Sequence, residues 1–312
     1  MRIGLDAMGG DFAPEATVKG AVLAQKELPV GNQIVLIGNT DQIRRILKEE
    51  NADEHAFEFV HTSEFIGMAD HPTKAIAQKA TASIPLGFQL LKEGHIDAFS
   101  SAGNTGAMLV GSMFSIKTIP GVIRPAMPTI VPKLKGGLGL ILDVGANADC
   151  RPDNLLQFGI LGKLLLENIY GVKNPRVGLI NIGEEPEKGN LLTQAAYALM
   201  REEPSFNFIG NVEGRDLFTD MADVIVCDGF TGNVILKLAE TFYTLTVRKG
   251  FNDVFFDRFN YEQYGGSPIL GVNAPVVVGH GISSPEAIKN MILLSQDMVT
   301  TKLTEKIRRI FN

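Results

Sequence analysis

Short apolar runs recur along this chain, and a glycine-rich turn and an amphipathic stretch follow most of them. That alternation narrows the fold more than any other feature. An apolar run of four to eight residues between turn residues reads as a buried strand, whereas a 3.6-residue spacing reads as helix. The runs IGLD (3–6), QIVLIG (33–38), FEFV (57–60), IDAFSS (96–101) and LGLILDVG (138–145) are predicted strands. RVGLINIG (176–183), FNFIG (206–210), ADVIVCDG (222–229) and PVVVGHG (275–281) continue the series. Helices are predicted over about 14–27, over 73–93 as one helix or a pair, over 105–116, 153–168 and 189–202, from about Asn233, and over about 284–310. Residues 117–137 hold Pro120, Pro125, Pro128 and Pro132 and read as irregular. Strands that alternate with helices give an α/β fold with a largely parallel sheet covered on both faces, hence three layers. No linker or fixed-period repeat interrupts the pattern. The expectation is one α/β domain over 1–312, which a crevice could divide into two lobes.

Charge and cysteine content exclude several functions. Lys plus Arg is 29 against 35 Asp plus Glu, a net −6 that argues against coating nucleic acid, where affinity comes from neutralising phosphates. Cys150 and Cys227 provide neither a disulfide framework nor a four-cysteine zinc site, and they suit a reducing compartment such as the cytoplasm. The start MRIGLDAMGGD lacks the long apolar core of a signal peptide, and no window reaches 18 apolar residues.

In open α/β sheets, ligands bind beyond the carboxyl ends of the strands. Five turns there are rich in Gly, Asn and Asp: DAMGGD (6–11), SAGNTGA (101–107), LDVGANAD (142–149), NIGEEPEKG (181–189) and CDGFTGN (227–233). Helix starts offer unpaired N–H groups and positive dipole charge, and small residues let an anion approach them. Turns of this kind that meet in one crevice would hold phosphate or an oxyanion. None matches a dinucleotide or P-loop fingerprint. Nearby cations are Lys74, Lys79, Arg124, Lys188, Arg215 and Lys237, of which Lys188 and Arg124 are the candidate anion ligands. Asp143, Asp149 and Asp228 form no dense carboxylate cluster, so neither metal nor cofactor is expected. Among the five histidines only His280, in GHGISS, follows a strand as a site residue would. Both cysteines lie beside candidate turns, but no histidine is placed by sequence to activate them. Residues 246–260 read as a helix with Phe251, Val254, Phe255 and Phe259 on one face, opposite Asp253, Asp257 and Asn260. Packing is the favoured role of that face over membrane contact, which usually needs more Lys and Arg.

The opening IGLDAMGGDFAPE, with SAGNTGA, LDVGAN, NIGEE..KG, CDGFTGNV and HGISS in that order, resembles the bacterial acyl-ACP:phosphate acyltransferases of phospholipid synthesis. The resemblance runs from Met1 to the final helix. It implies the fold of the isocitrate/isopropylmalate dehydrogenases, shared by the phosphotransacetylases. It implies transfer of a long acyl chain from acyl carrier protein to inorganic phosphate by direct attack, without an acyl-enzyme. It further implies a cytoplasmic homodimer peripherally attached to the membrane, feeding a membrane glycerol-3-phosphate acyltransferase. On this reading Asn104, Thr105 and Gly106, with Gly103, bind phosphate or the oxyanion. Asn147, Lys188 and Asn233 orient the thioester or neutralise charge, with Arg124 as a further anion ligand. Asp143 and Asp228 orient donors, His280 assists proton movement, and Asp6, Gly9, Gly10 and Asp11 shape the wall. Arg248, Lys249 and Arg258 are candidates for docking the acidic carrier. In that family the membrane-associating segment is often longer and richer in Lys and Ala than the Phe-rich 246–262 here. The rival readings are a phosphotransacetylase that uses acyl-coenzyme A, a decarboxylating dehydrogenase, and a non-catalytic acyl-binding protein.

Overall fold

The computed structural model describes residues 1–251 and 253–311. In chain order the elements are β1 (Arg2–Asp6), α1 (Glu15–Glu27), β2 (Gln33–Gly38), α2 (Thr40–Glu49), β3 (Phe57–His61), α3 (Pro72–Gln78), α4 (Ser83–Lys92), β4 (Ala98–Ser101) and α5 (Thr105–Gly111). Then follow β5 (Pro128–Pro132), β6 (Leu138–Leu142), α6 (Pro152–Asn168), β7 (Arg176–Ile180), α7 (Leu191–Glu202), β8 (Asn207–Val212), β9 (Val224–Val226), α8 (Gly229–Arg248) and α9 (Val254–Asp257). The chain ends with β10 (Ser267–Pro268), β11 (Val276–Val278), α10 (Pro285–Thr300) and α11 (Leu303–Phe311). It separates into two compact units: Met1–Ile119 with Tyr261–Thr304, and Pro120–Asn260 with the residues from Glu305 onward.

Each unit has its own sheet, so the expected parallel sheet is present as two. The first is ordered β10-β11-β4-β1-β2-β3 and the second β5-β6-β9-β7-β8. Among the strands of the described residues, β10 with β11 and β5 with β6 pair antiparallel and the other pairs are parallel. In the first sheet successive side chains of β4 identify its two covered faces, because strand side chains alternate. Phe99 meets Phe88 of α4 edge-on, with ring centroids 5.2 Å apart. Ser100 points the other way and shares a 2.6 Å hydrogen bond with Ser295 of α10. Gly87 lets α4 lie this close, since a Cβ there would come within 2.2 Å of the Phe99 ring. In the second sheet α6 packs through Gly162, where a Cβ would lie 2.6 Å from Val224.

Three elements differ from the sequence expectation. Residues 117–137 are not irregular throughout, for β5 runs antiparallel beside β6 at the sheet edge. Pro128 and Pro132 sit at its two ends, where the missing N–H is tolerated. The segment 246–260 is not one helix. Helix α8 starts at Gly229 and stops at Arg248, and Gly250 takes φ +73° before α9 begins. Phe251 and Val254 are exposed, whereas Phe255 and Phe259 pack edge-on against Phe218. The last helix is two, α10 and α11, separated at Lys302 with φ +54°. Among the described residues no helix is long and apolar enough to cross a membrane.

Asp223, in the turn before β9, ties the second sheet together. It accepts hydrogen bonds from the Arg176 main-chain N at 2.8 Å, from Arg176 Nε at 2.9 Å and from the buried ammonium of Lys133. Burial alone would raise its pKa, but the bonds from Arg176 and Lys133 outweigh it and lower the value to about 2. A carboxylate pKa below the ordinary 3.8 stabilises the fold fully above pH ~4, and that contribution is lost as pH falls toward 2. The loss should amount to about 2 kcal/mol. Asp223→Asn should remove this acid-limb dependence. It should also destabilise the protein at pH 7 by roughly 3–5 kcal/mol, because Lys133 is left buried and unpaired. Urea unfolding at pH 7 and pH 3 checks both, and an unchanged acid limb in the variant would refute the assignment.

Candidate active site

In the first unit the turns after β1, β4 and β11 are bonded to one another at the carboxyl edge of the sheet. The side chain of Asp6 is buried at the end of β1, accepting from Ser101 Oγ at 2.6 Å and from the Met8 N–H at 3.0 Å. Burial raises its pKa against these hydrogen bonds. Ser101 Oγ in turn accepts from the Gly103 N–H at 2.9 Å. Gly9 fits against this pair, where a Cβ would lie 2.4 Å from Asp6 Oδ2. Gly10 has φ +111°, and the Asp11 N–H then donates to the Gly281 carbonyl at 2.7 Å. His280 stands beside Gly281 in the same turn, half-buried, and its carbonyl accepts from the Ser283 N–H.

Asn104 caps α5 and organises a fourth segment. Its Oδ1 accepts from the Ala107 N–H at 3.0 Å, while its Nδ2 faces the carbonyls of Gly67, Met68 and Asp70 at 3.2, 3.2 and 2.9 Å. The carboxamide is thus fully engaged, and its role is to position the turn. Thr105 is exposed and Gly106 half-buried at the first positions of α5, where N–H groups have no intrahelical partner.

In the second unit a comparable carboxylate stands after β6. Asp143 is fully buried and accepts from the N–H groups of Met127, Ala146 and Asn147 at 3.0, 3.3 and 2.6 Å and from Asn147 Nδ2 at 3.0 Å. Burial raises its pKa despite them. Asn147 also donates to the Pro125 carbonyl at 2.7 Å and accepts from the Gly229 N–H at 2.7 Å, joining this turn to the start of α8. Asp228 caps α8, accepting from the Thr231 N–H at 2.8 Å and the Thr231 hydroxyl at 2.9 Å. Asn233 lies one turn further on and donates to the Val144 carbonyl at 3.3 Å.

Lys188 and Arg124 remain as exposed cations, and neither forms an ion pair among the described residues. Lys188 lies in the turn after β7, which Asn181 and Asn211 hold by bonds to the carbonyls of Lys188 and Glu185. The Arg124 guanidinium reaches only the Asp149 carbonyl, at 3.5 Å. Among the other cations singled out by sequence, Lys79 pairs with Asp70, Arg215 with Glu184 and Glu213, and Lys237 with Glu240, whereas Lys74 is exposed. Arg258 donates to the carbonyls of Lys133 and Gly137.

A cavity of about 460 Å³ opens where β7 and β9 end, lined in part by Asn181, Asn190, Thr193, Cys227, Asp228 and Thr231. Asn190 and Thr193 escaped the sequence reading, although Asn before a helix with Thr three residues on is a capping signal. Ser101 escaped it too, because a strand serine carries no local signature. Burial, with the Asp143 charge, pushes the Cys150 thiol up to about 11, and burial holds the Cys227 thiol well above its ordinary range. Both are neutral thiols near pH 7, a poor state for a nucleophile. Among the described residues no group of three or more His, Cys, Asp or Glu could hold a metal ion.

Residues 1–306 match the model of a family described as fatty acid synthesis protein. A phosphate acyltransferase of Dictyoglomus turgidum is 43% identical over 327 aligned positions, spanning 98% of this chain and 96% of that protein. One of Heliobacterium modesticaldum is 44% identical, with 96% and 94% covered. In structure the chain is similar to a phosphotransacetylase from Streptococcus pyogenes, with a TM-score of 0.65, 17% identity, and 98% and 94% covered. It is also similar to a 4-hydroxythreonine-4-phosphate dehydrogenase from Burkholderia phymatum, with a TM-score of 0.51, 16% identity, and 98% and 97% covered. These two likenesses bear out the expected dehydrogenase-like fold. The sequence matches carry more, and by them this chain belongs to the phosphate acyltransferase family, a family of acyltransferase enzymes in fatty acid synthesis.

Proposed function

We propose that the protein moves a fatty acyl group from the thioester of acyl carrier protein to inorganic phosphate. A phosphate oxygen attacks the thioester carbonyl, the C–S bond breaks, and the products are acyl phosphate and the carrier thiol. The neutral state of both cysteines carries the direct-attack part of this reading, since neither supplies a thiolate for an acyl-enzyme. Phosphate near neutral pH is partly dianionic and is its own nucleophile. The protein has to desolvate it, hold it beside the carbonyl and stabilise the oxyanion. The N–H groups of Thr105 and Gly106, held in place by Asn104, suit the anion, with Gly103 allowing close approach. Lys188 suits charge neutralisation, with Asn233 and Arg124 as further donors. Asp6, Asp143, Asn147 and Asp228 act by positioning, and His280 by assisting proton movement.

The same reading includes a second copy of the chain, peripheral attachment at the inner face of the cell membrane, and a membrane glycerol-3-phosphate acyltransferase that consumes the product. Helix α8 supports a partner surface, for Phe230, Val234, Leu238, Phe242 and Leu245 form an exposed apolar stripe along it. Arg248 and Lys249 at its end remain the candidates for the acidic carrier.

Purified protein mixed with long-chain acyl carrier protein and phosphate should yield a hydroxamate on trapping with hydroxylamine, with carrier thiol released in step. Hydroxamate formed without phosphate, or only from coenzyme A thioesters, would refute the reading. Lys188→Ala should lower kcat/KM by about tenfold to a hundredfold at unchanged thermal midpoint. Wild-type turnover in that variant would remove Lys188 from the site. With phosphate withheld, intact-mass measurement should find no acyl adduct on Cys150 or Cys227, and an adduct would reinstate the acyl-enzyme.

A further inference from the structure

We propose that the cavity where β7 and β9 end receives the pantetheine arm of the thioester donor, rather than phosphate or the acyl chain. The proposal rests on the thioester reading above. The cavity lies wholly within the second unit, and its volume of about 460 Å³ is within the ~300–1,000 Å³ of small-molecule sites.

Its lining selects among the three parts of the reaction. Leu155 and Cys227, 1% and 2% exposed, form the floor, and Ile182, 81% exposed, stands at the mouth. No Lys, Arg or His lines the cavity, and its one charged group is the carboxylate of Asp228. Phosphate would meet that carboxylate with no cation among the lining residues to offset it. An acyl chain meets the opposite difficulty, because Asn181, Asn190, Thr193 and Thr231 would face methylene groups and lose water without gaining hydrogen bonds. A neutral arm with amide groups between short apolar stretches satisfies both constraints. Each amide needs one donor and one acceptor. Asn190 Oδ1 is taken by the Thr193 N–H at 2.9 Å, but its Nδ2 has no protein partner among the described residues and can donate to an amide carbonyl. The lone pairs of the Thr193 and Thr231 hydroxyls, which donate to the Asn190 carbonyl and the Asp228 carboxylate, can accept amide N–H groups. Ile180 and Leu155 also line the cavity and suit the arm's methylene and methyl groups.

Two substitutions test the assignment without removing the α7 cap. Asn190→Asp keeps the capping oxygen and deletes the Nδ2 donor. Thr193→Leu narrows the cavity while keeping the main-chain N–H that Asn190 holds. Free pantetheine, coenzyme A and carrier protein bearing its arm are each titrated by calorimetry. All three should bind the wild type, and each should lose about fivefold or more in Asn190→Asp and about tenfold in Thr193→Leu. The tighter of coenzyme A and the carrier identifies the source of the arm. In turnover, both variants should raise KM for the acyl donor and leave KM for phosphate within about twofold. Absence of pantetheine binding to the wild type, unchanged affinity in both folded variants, or a rise in phosphate KM instead of donor KM would overturn the proposal. If no acyl phosphate forms with any donor, the function reading fails, while the pantetheine titrations still decide the cavity.

Discussion

A buried carboxylate stands at the end of a sheet strand in each unit, and the turns around it are arranged by the donors it collects. Asp6 draws in Ser101 and the Met8 N–H, and Asp143 draws in Met127, Ala146 and Asn147. A carboxylate out of water is costly unless hydrogen-bonded, so each turn can take few conformations. The glycines follow from that requirement. At Gly9 the main chain passes so close to Asp6 and Ser101 that no Cβ fits.

This accounts for a site rich in Gly, Asn and Asp and without a catalytic triad. The proposed reaction, in which the nucleophile arrives as a dianion and the leaving group is a thiolate, would ask little of side-chain acids and bases. It would ask for preorganised N–H groups and a few cations. The side chains of Asn104, Asn147 and Asp228 bond within the protein, and what they hold in place is main chain. Lys188 and Arg124 are left as cations without ion pairs among the described residues.

Strands were legible because parallel strands buried on both faces read as short apolar runs, and the glycine turns after them mark the carboxyl edge. β5 was not legible, because Pro128 and Pro132 argue against a strand unless its place at the sheet edge is known. The helix expected through 246–260 failed at Gly250, where the periodicity of the phenylalanines continues across a break in the main chain. The site's residue types were readable, but whether an amide faces ligand or neighbour depends on tertiary partners. Asn104 illustrates this, since its three carbonyl partners lie more than thirty positions earlier in the chain. Neither did the sequence indicate two sheets, because the alternation of elements is the same for one sheet or two.

The division of the chain also sets an order of assembly. The first unit's sheet has β11 between β10 and β4, and α10 packs on α1, yet β10, β11 and α10 leave the ribosome only after the whole of Pro120–Asn260. Until then β4 has an open edge, with unpaired main-chain groups of the kind that recruit other chains. The inserted segment is nearly contiguous and has its own five strands, so it can close its sheet first. Chain order therefore allows one sheet to be complete while the other still lacks a border. At that stage the fold depends most on how quickly the last fifty residues arrive.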